Sequence, residues 1–167
     1  GTTFSQYDPD IVVTPAGVAI AWVDTRNAAL GTDLYMRSFD TDLRPLGGDQ
    51  ELAATSDFEG DVTLEPLDTG WIAAWRSELG GQESLRVRAS SGIDWTMGPY
   101  LPGPTGDKPA LGVDGARVAA VVSVGVDSEV GPYSSLLRGA ELLPGGGTVT
   151  GVDILGGISA LHGWGRA

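Results

Sequence analysis

The sequence predicts an all-β chain built from an internal repeat, read as a β-propeller of four-stranded antiparallel blades. Three observations carry this. Trp22 and Trp75 recur 53 positions apart, each closing a short apolar run that follows a Gly-ended turn. Segments ending in Arg37, Arg88 and Arg138 recur at intervals of 51 and 50 residues. Gly and Pro, 26 and 10 of 167 residues, make up about a fifth of the chain against a usual share of roughly 12%, so elements are short and turns frequent. A repeat of this length is the signature of stacked supersecondary units.

The first marker is an apolar strand, a turn and a second apolar strand. It runs from Asp10 through Gly17 to Trp22, again from Asp61 through Gly70 to Trp75, and in weaker form from Ala110 through Gly115 to Val122, where Val replaces Trp. Nearly continuous apolar runs of this length fit strands covered on both faces. The second marker is a third strand ending in Arg (Leu34–Arg37, Leu85–Arg88, Ser135–Arg138). The third is a turn into a fourth short strand at Phe39–Gly47, Ser91–Gly98 and Ala140–Gly146, each rich in turn-forming residues. Four-stranded meanders with apolar inner strands and mixed outer strands are what a blade requires. The units span about 7–55, 58–104 and 107–148, with a partial fourth over 151–167 that begins at Val152 and contains His162 and Trp164. The ends read as incomplete, so the expected ring is closed by N- and C-terminal strands sharing a blade or by another chain.

Trp22, Asp24 and Arg26, followed by Tyr35, Arg37, Phe39 and Asp40, form a Trp-x-Asp-x-Arg strand and a Tyr-x-Arg-x-Phe-Asp strand. In these motifs the first unit resembles bacterial secreted propeller repeats. The second unit keeps Trp75 but places Arg76 and Ser77 after it. The repeats are also distantly similar to sialidase Asp-box propellers, with Ser90–Trp95 as a degenerate box whose Asp94 directly precedes Trp95. The resemblance implies a propeller, secreted or at the cell surface, and no particular ligand.

Charge narrows the partners. With 22 Asp and Glu against 10 Lys and Arg, the net charge of −12 repels phosphate backbones, so nucleic acid is not expected. No apolar run reaches the ~18 residues of a membrane span, and no membrane insertion is expected. The absence of Cys removes disulfides, thiolate metal sites and cysteine nucleophiles.

Catalysis finds little support. The single histidine, His162, has no nucleophile motif to serve. Arg37, Arg88 and Arg138 sit on outer strands of different units instead of converging on one carboxylate, as a sialidase-like glycosidase would need. The Gly145–Gly151 run lacks the Lys and helix of a phosphate loop. Calcium needs only oxygen ligands, and Asp24, Asn27 and Asp33 flank one loop, so these are the candidate metal ligands, although local turn formation competes for them. Trp71 and Trp95, beside turns, are the candidate ligand-stacking aromatics, while Trp22 and Trp75 are placed between blades. The resulting expectation is a non-catalytic binding or assembly module for a protein or glycan. A glycan-active enzyme and a structural subunit completing its ring with another chain are the alternatives.

Overall fold

The computed structural model describes residues 4–27, 31–102, 108–115, 117–125 and 135–155. His162, Trp164 and most of the expected fourth unit lie outside the described residues. The described residues form thirteen strands and no helix, so the all-β expectation is met.

The first sheet is a meander of β1 (Gln6–Thr14), β2 (Gly17–Asp24), β3 (Asp33–Phe39) and β4 (Gln50–Ala53). A second meander follows in β5 (Phe58–Leu67), β6 (Gly70–Leu79), β7 (Gln82–Ala89) and β8 (Asp94–Pro102). The third consists of β9 (Ala110–Asp114), β10 (Arg117–Gly125) and β11 (Ser135–Leu142), with β13 (Val152–Leu155) on its outer side. A short strand, β12 (Gly147–Val149), leaves the third sheet to pair in parallel with β8, and β10 meets β8 only at Val124–Pro102 and Gly125–Leu101. Among the described residues the hydrogen-bonded order does not return to β1, and the three sheets do not close into a ring.

Two details of the sequence reading change. Val152–Leu155 does not open a fourth unit: it is hydrogen-bonded to β11 as the outer strand of the third sheet, a place left vacant because β12 is bound to β8. Ser5, near the N-terminal end that reads as incomplete, accepts a hydrogen bond from the Thr25 amide and so continues β1 alongside β2.

Hairpin register fixes which residues are equivalent. Each first hairpin closes on one pair, Thr14–Gly17, Leu67–Gly70 or Asp114–Arg117, around a two-residue turn. Counting from these pairs aligns Trp22, Trp75 and Val122, as the sequence suggested. It also aligns Asp8 with Asp61, not Asp10 with Asp61. Both residues sit at a bulge in left-handed backbone, with φ of 52° and 56°, a conformation Asp tolerates better than most side chains. Arg37 and Arg88 remain equivalent, opposite Ile20 and Ala73. Arg138 lies opposite Val122, two residues out of step, at the position of Tyr35 and Arg86. Gly17 and Gly70 recur for a steric reason, since a Cβ there would overlap the Phe39 carbonyl or the Ser90 hydroxyl.

Alternation along the strands gives every sheet two faces. One face of the first sheet (Val12, Ala19, Ala21, Leu34, Met36) forms a core with Leu64, Ala73 and Trp75 of the second. The opposite face of the second sheet (Ile72, Ala74, Leu85, Val87, Trp95) forms another core with Val118, Ala120 and Val122 of the third. The same two faces therefore meet at the same register twice. Polar links tie neighbouring inner strands: Asp10 accepts from the Leu64 amide at 2.7 Å, and Thr63 donates to the Pro109 carbonyl at 2.7 Å.

Candidate functional site

The first sheet carries the most concentrated charge network. The Asp24 carboxylate is fully buried and accepts from Trp22 Nε1 at 3.2 Å, Gln6 Nε2 at 3.0 Å, and the Arg26 amide and guanidinium at 2.8 and 2.6 Å. Burial pushes its pKa up, but these donors outweigh burial and hold it far below the usual carboxylate range. Arg26 also reaches Asp49 at 2.9 Å and lies 3.9 Å over the Tyr35 ring. Asp49 in turn binds Arg37 at 2.5 Å, and Tyr35 donates to Glu51. The Trp-x-Asp-x-Arg and Tyr-x-Arg motifs are thus a staple joining β2 and β3 to the approach of β4.

The expected metal ligands belong to that staple or border it. Asp24 is filled by donors. Asp33 accepts from Asn27 Nδ2 at 2.9 Å, and the same nitrogen donates to the Tyr35 hydroxyl at 3.2 Å. Among the described residues, no group of three acidic or histidine side chains converges as a cation would require.

The second sheet replaces this network. Arg76 binds Asp61 at 2.8 Å and the buried Glu83, joining the inner strand to β7. Arg88 repeats the Arg37 arrangement with Asp94 at 2.6 Å, and donates across the sheet boundary to the Leu52 carbonyl at 2.7 Å. Asp8, Asp61 and Lys108 occupy the same place counted from their hairpins, and Lys108 stands 3.9 Å from Asp8.

Trp95 does not behave as an exposed turn residue. It is 7% exposed, packed in the core between second and third sheets, with its indole N–H on the Leu143 carbonyl at 2.8 Å. The turn signal that flagged it ends at Ile93, one residue before β8 begins. Trp71 is half-buried against the first core. Trp75 fills the space between sheets, and Trp22 lies half-buried over Asp24.

Sequence reasoning missed a recess between the first two sheets. It lies beside the four residues of β4 and the nine of β8. A cleft of about 350 Å³ opens between them. Its walls include Glu51 and Thr55 of the first sheet's edge, and Glu59, Arg86, Asp94 and Thr96 of the second. Arg86 is exposed and donates to Thr96 at 3.0 Å. Glu59 is almost wholly buried. One of its carboxylate oxygens accepts from the Thr55 hydroxyl, while Oε2 has no protein partner. Burial, together with nearby Asp33 and Asp57, raises its pKa. No periodic signal marks this cleft, because residues of two different repeats line it.

No protein-family model, curated protein or solved structure matches this chain.

Proposed function

We propose that the three sheets are successive blades of a β-propeller and that the chain is a non-catalytic binding module for a protein or glycan, engaged at the cleft between the first two sheets. The repeated meeting of the same two faces at the same register supports the blade reading. So do the links from β1 to β5 and from Thr63 to Pro109, and the nearness of the register-equivalent Asp8 and Lys108. Resemblance to secreted repeats supports a place outside the cell or at its surface.

The observation that carries the binding reading is the cleft itself: a concave recess with a few fixed polar groups between ordered strands is the usual form of a recognition site. Arg86, Thr96 and the exposed Asp94 offer donors and acceptors suited to hydroxyl or amide groups. The test is calorimetry against a panel of oligosaccharides and hydroxyl-rich peptides, with hits repeated on Arg86→Ala. Binding weakened about tenfold or more by that change, and untouched by Arg117→Ala on the third sheet, supports the reading. Hits insensitive to Arg86 move the site elsewhere.

A second reading, a glycan-active enzyme, draws on Glu59 alone, a buried carboxyl with a raised pKa and a free oxygen at a cleft. Hydrolysis of aryl glycosides that disappears in Glu59→Gln while binding persists would establish it.

A further inference from the structure

Among the described residues, the first sheet has one core face and one face that no other sheet covers. Ile11 and Val13 of β1 are 60% and 71% exposed, and Val18 and Ile20 of β2 beside them are only half-buried. Register makes Leu64 and Leu111 the counterparts of Ile11, and Pro66 and Val113 those of Val13. Leu64 is 5% exposed beneath the first sheet, and Leu111 and Val113 pack into the core beneath the second. The Ile11 position is therefore covered in both later repeats and the Val13 position in the third alone, Pro66 being exposed; in the first repeat both are open, and their side chains are still Ile and Val. An alternating strand with solvent on one face would carry polar residues there.

Among the described residues, the third sheet is partly open on the opposite face, although Gly139 there is buried. Gly112 and Ala119 are exposed, Val121 is half-buried beside Gly139, and the Arg117–Glu141 pair at 2.9 Å borders them. These residues occupy the face that, in the first and second sheets, receives the next sheet. The molecule thus presents both halves of a contact it already makes twice internally, and the branched side chains of one half oppose small residues on the other.

We infer that the Ile11–Val13–Val18–Ile20 face is a docking surface for a second copy of this chain, whose third sheet seats on it through Gly112, Ala119 and Val121. The contact is heterologous, head to tail, so successive copies extend it until a ring closes. The inference rests on the face-to-face stacking in the reading above and is independent of the cleft, so loss of Arg86-dependent binding leaves it intact.

Sedimentation velocity from low to high micromolar concentration tests it. The full chain should shift toward multiples of the monomer mass as concentration rises. A double variant, Ile11→Lys with Val13→Lys, should stay monomeric, and so should Ala119→Lys. Each variant keeps one intact face, so mixing the two should produce a species of two chains and nothing larger. Ile11→Ser with Val13→Thr offers a milder substitution should the lysines disturb folding, and circular dichroism checks the strands. Three outcomes overturn the inference. One is a wild-type chain that is monomeric throughout, including one whose β1 amides resist exchange because residues 156–167 cover the face. Another is association that Ala119→Lys leaves untouched, which signals a symmetric pairing of first sheets. The last is a mixture of the two variants that stays monomeric.

Discussion

The first and second sheets have the same meander, the same hairpin register and a Trp at the same place, yet they are held by different chemistry. In the first, Trp22 lies over a buried Asp24 that anchors Arg26, Asp49 and Arg37. In the second, Trp75 is packed in the core, Ser77 stands where Asp24 would, and its hydroxyl reaches Asp57 at 2.9 Å. The difference follows from what covers each face. A sheet lies over the Trp75 side of the second sheet, so apolar contact supplies the stabilisation. The corresponding side of the first sheet is open, and there a charged staple clamps its strands to one another.

The sharpest way to break this comparison is to truncate the two tryptophans. Trp75→Ala leaves a cavity between two sheets and should cost about 3–5 kcal/mol in urea unfolding. Trp22→Ala loses partial packing and a hydrogen bond to Asp24, a cost of about 1–2 kcal/mol. Equal losses would mean that the Trp22 face is covered as fully as the Trp75 face. The next contrast is Asp24→Ala against Ser77→Ala. Removing Asp24 strands four donors, although Arg26 keeps Asp49 and some exposure to water, so the expected loss is about 2 kcal/mol. Ser77→Ala removes one neutral donor, for about 1 kcal/mol.

These contrasts also show what could be read from the sequence. Trp75 announced the repeat because the space between two sheets demands bulk, Trp22 because its indole caps the buried Asp24, and Gly17 and Gly70 because steric contact at a turn excludes a Cβ. Arg37 and Arg88 recur at equivalent positions, and each pairs with an acidic residue of the following segment, Asp49 or Asp94. The Asp8–Asp61 equivalence was hidden because Asp10 also precedes the apolar run, and only the pairing of the hairpin strands shows which Asp matches Asp61. The third sheet blurred further: Arg138 sits two residues from its expected register, and β12 is bound to a neighbouring sheet through backbone bonds that any sequence can make. The cleft was illegible, since residues of two different repeats line it. Trp95 was misplaced because residues beside a turn are exposed or buried according to which sheet lies opposite.

The pH response should separate the two sheets by sign. Asp49 is held below its ordinary value first by Arg26 and then by Arg37, as Asp24 is by its donors. Their stabilisation is complete above the ordinary Asp value of about 3.9 and is lost as pH falls through their lower folded-state values. Glu59 and Asp61 behave oppositely, because burial raises both, against Thr55 in one case and Arg76 in the other. Their contribution is complete below the ordinary carboxylate range and is lost as pH rises through their raised values. Asp24→Asn should therefore flatten the acid limb of a plot of melting temperature against pH. Glu59→Gln should raise stability at neutral pH and leave the acid limb in place. A Glu59→Gln variant that weakens the fold at pH 7 would show that the charged carboxylate is stabilising.

The smallest effect is expected in the third sheet, where Arg117 and Glu141 pair at 2.9 Å with both side chains at least half exposed. Their mutual influence is electrostatically visible, since each moves the other's titration toward the charged form. Water and salt nevertheless screen an exposed pair, and holding two long side chains in one geometry costs entropy that offsets the attraction. Arg117→Ala should leave the melting temperature of the monomer unchanged within error at low and high salt, in contrast with Asp24→Ala at the buried end of the scale. The pair borders the partly open face of the third sheet, so the same variant becomes informative where copies associate. A salt-sensitive change confined to concentrations at which association occurs places Arg117 at the contact, whereas a change in the monomer's own melting shows a structural pair like those of the first sheet.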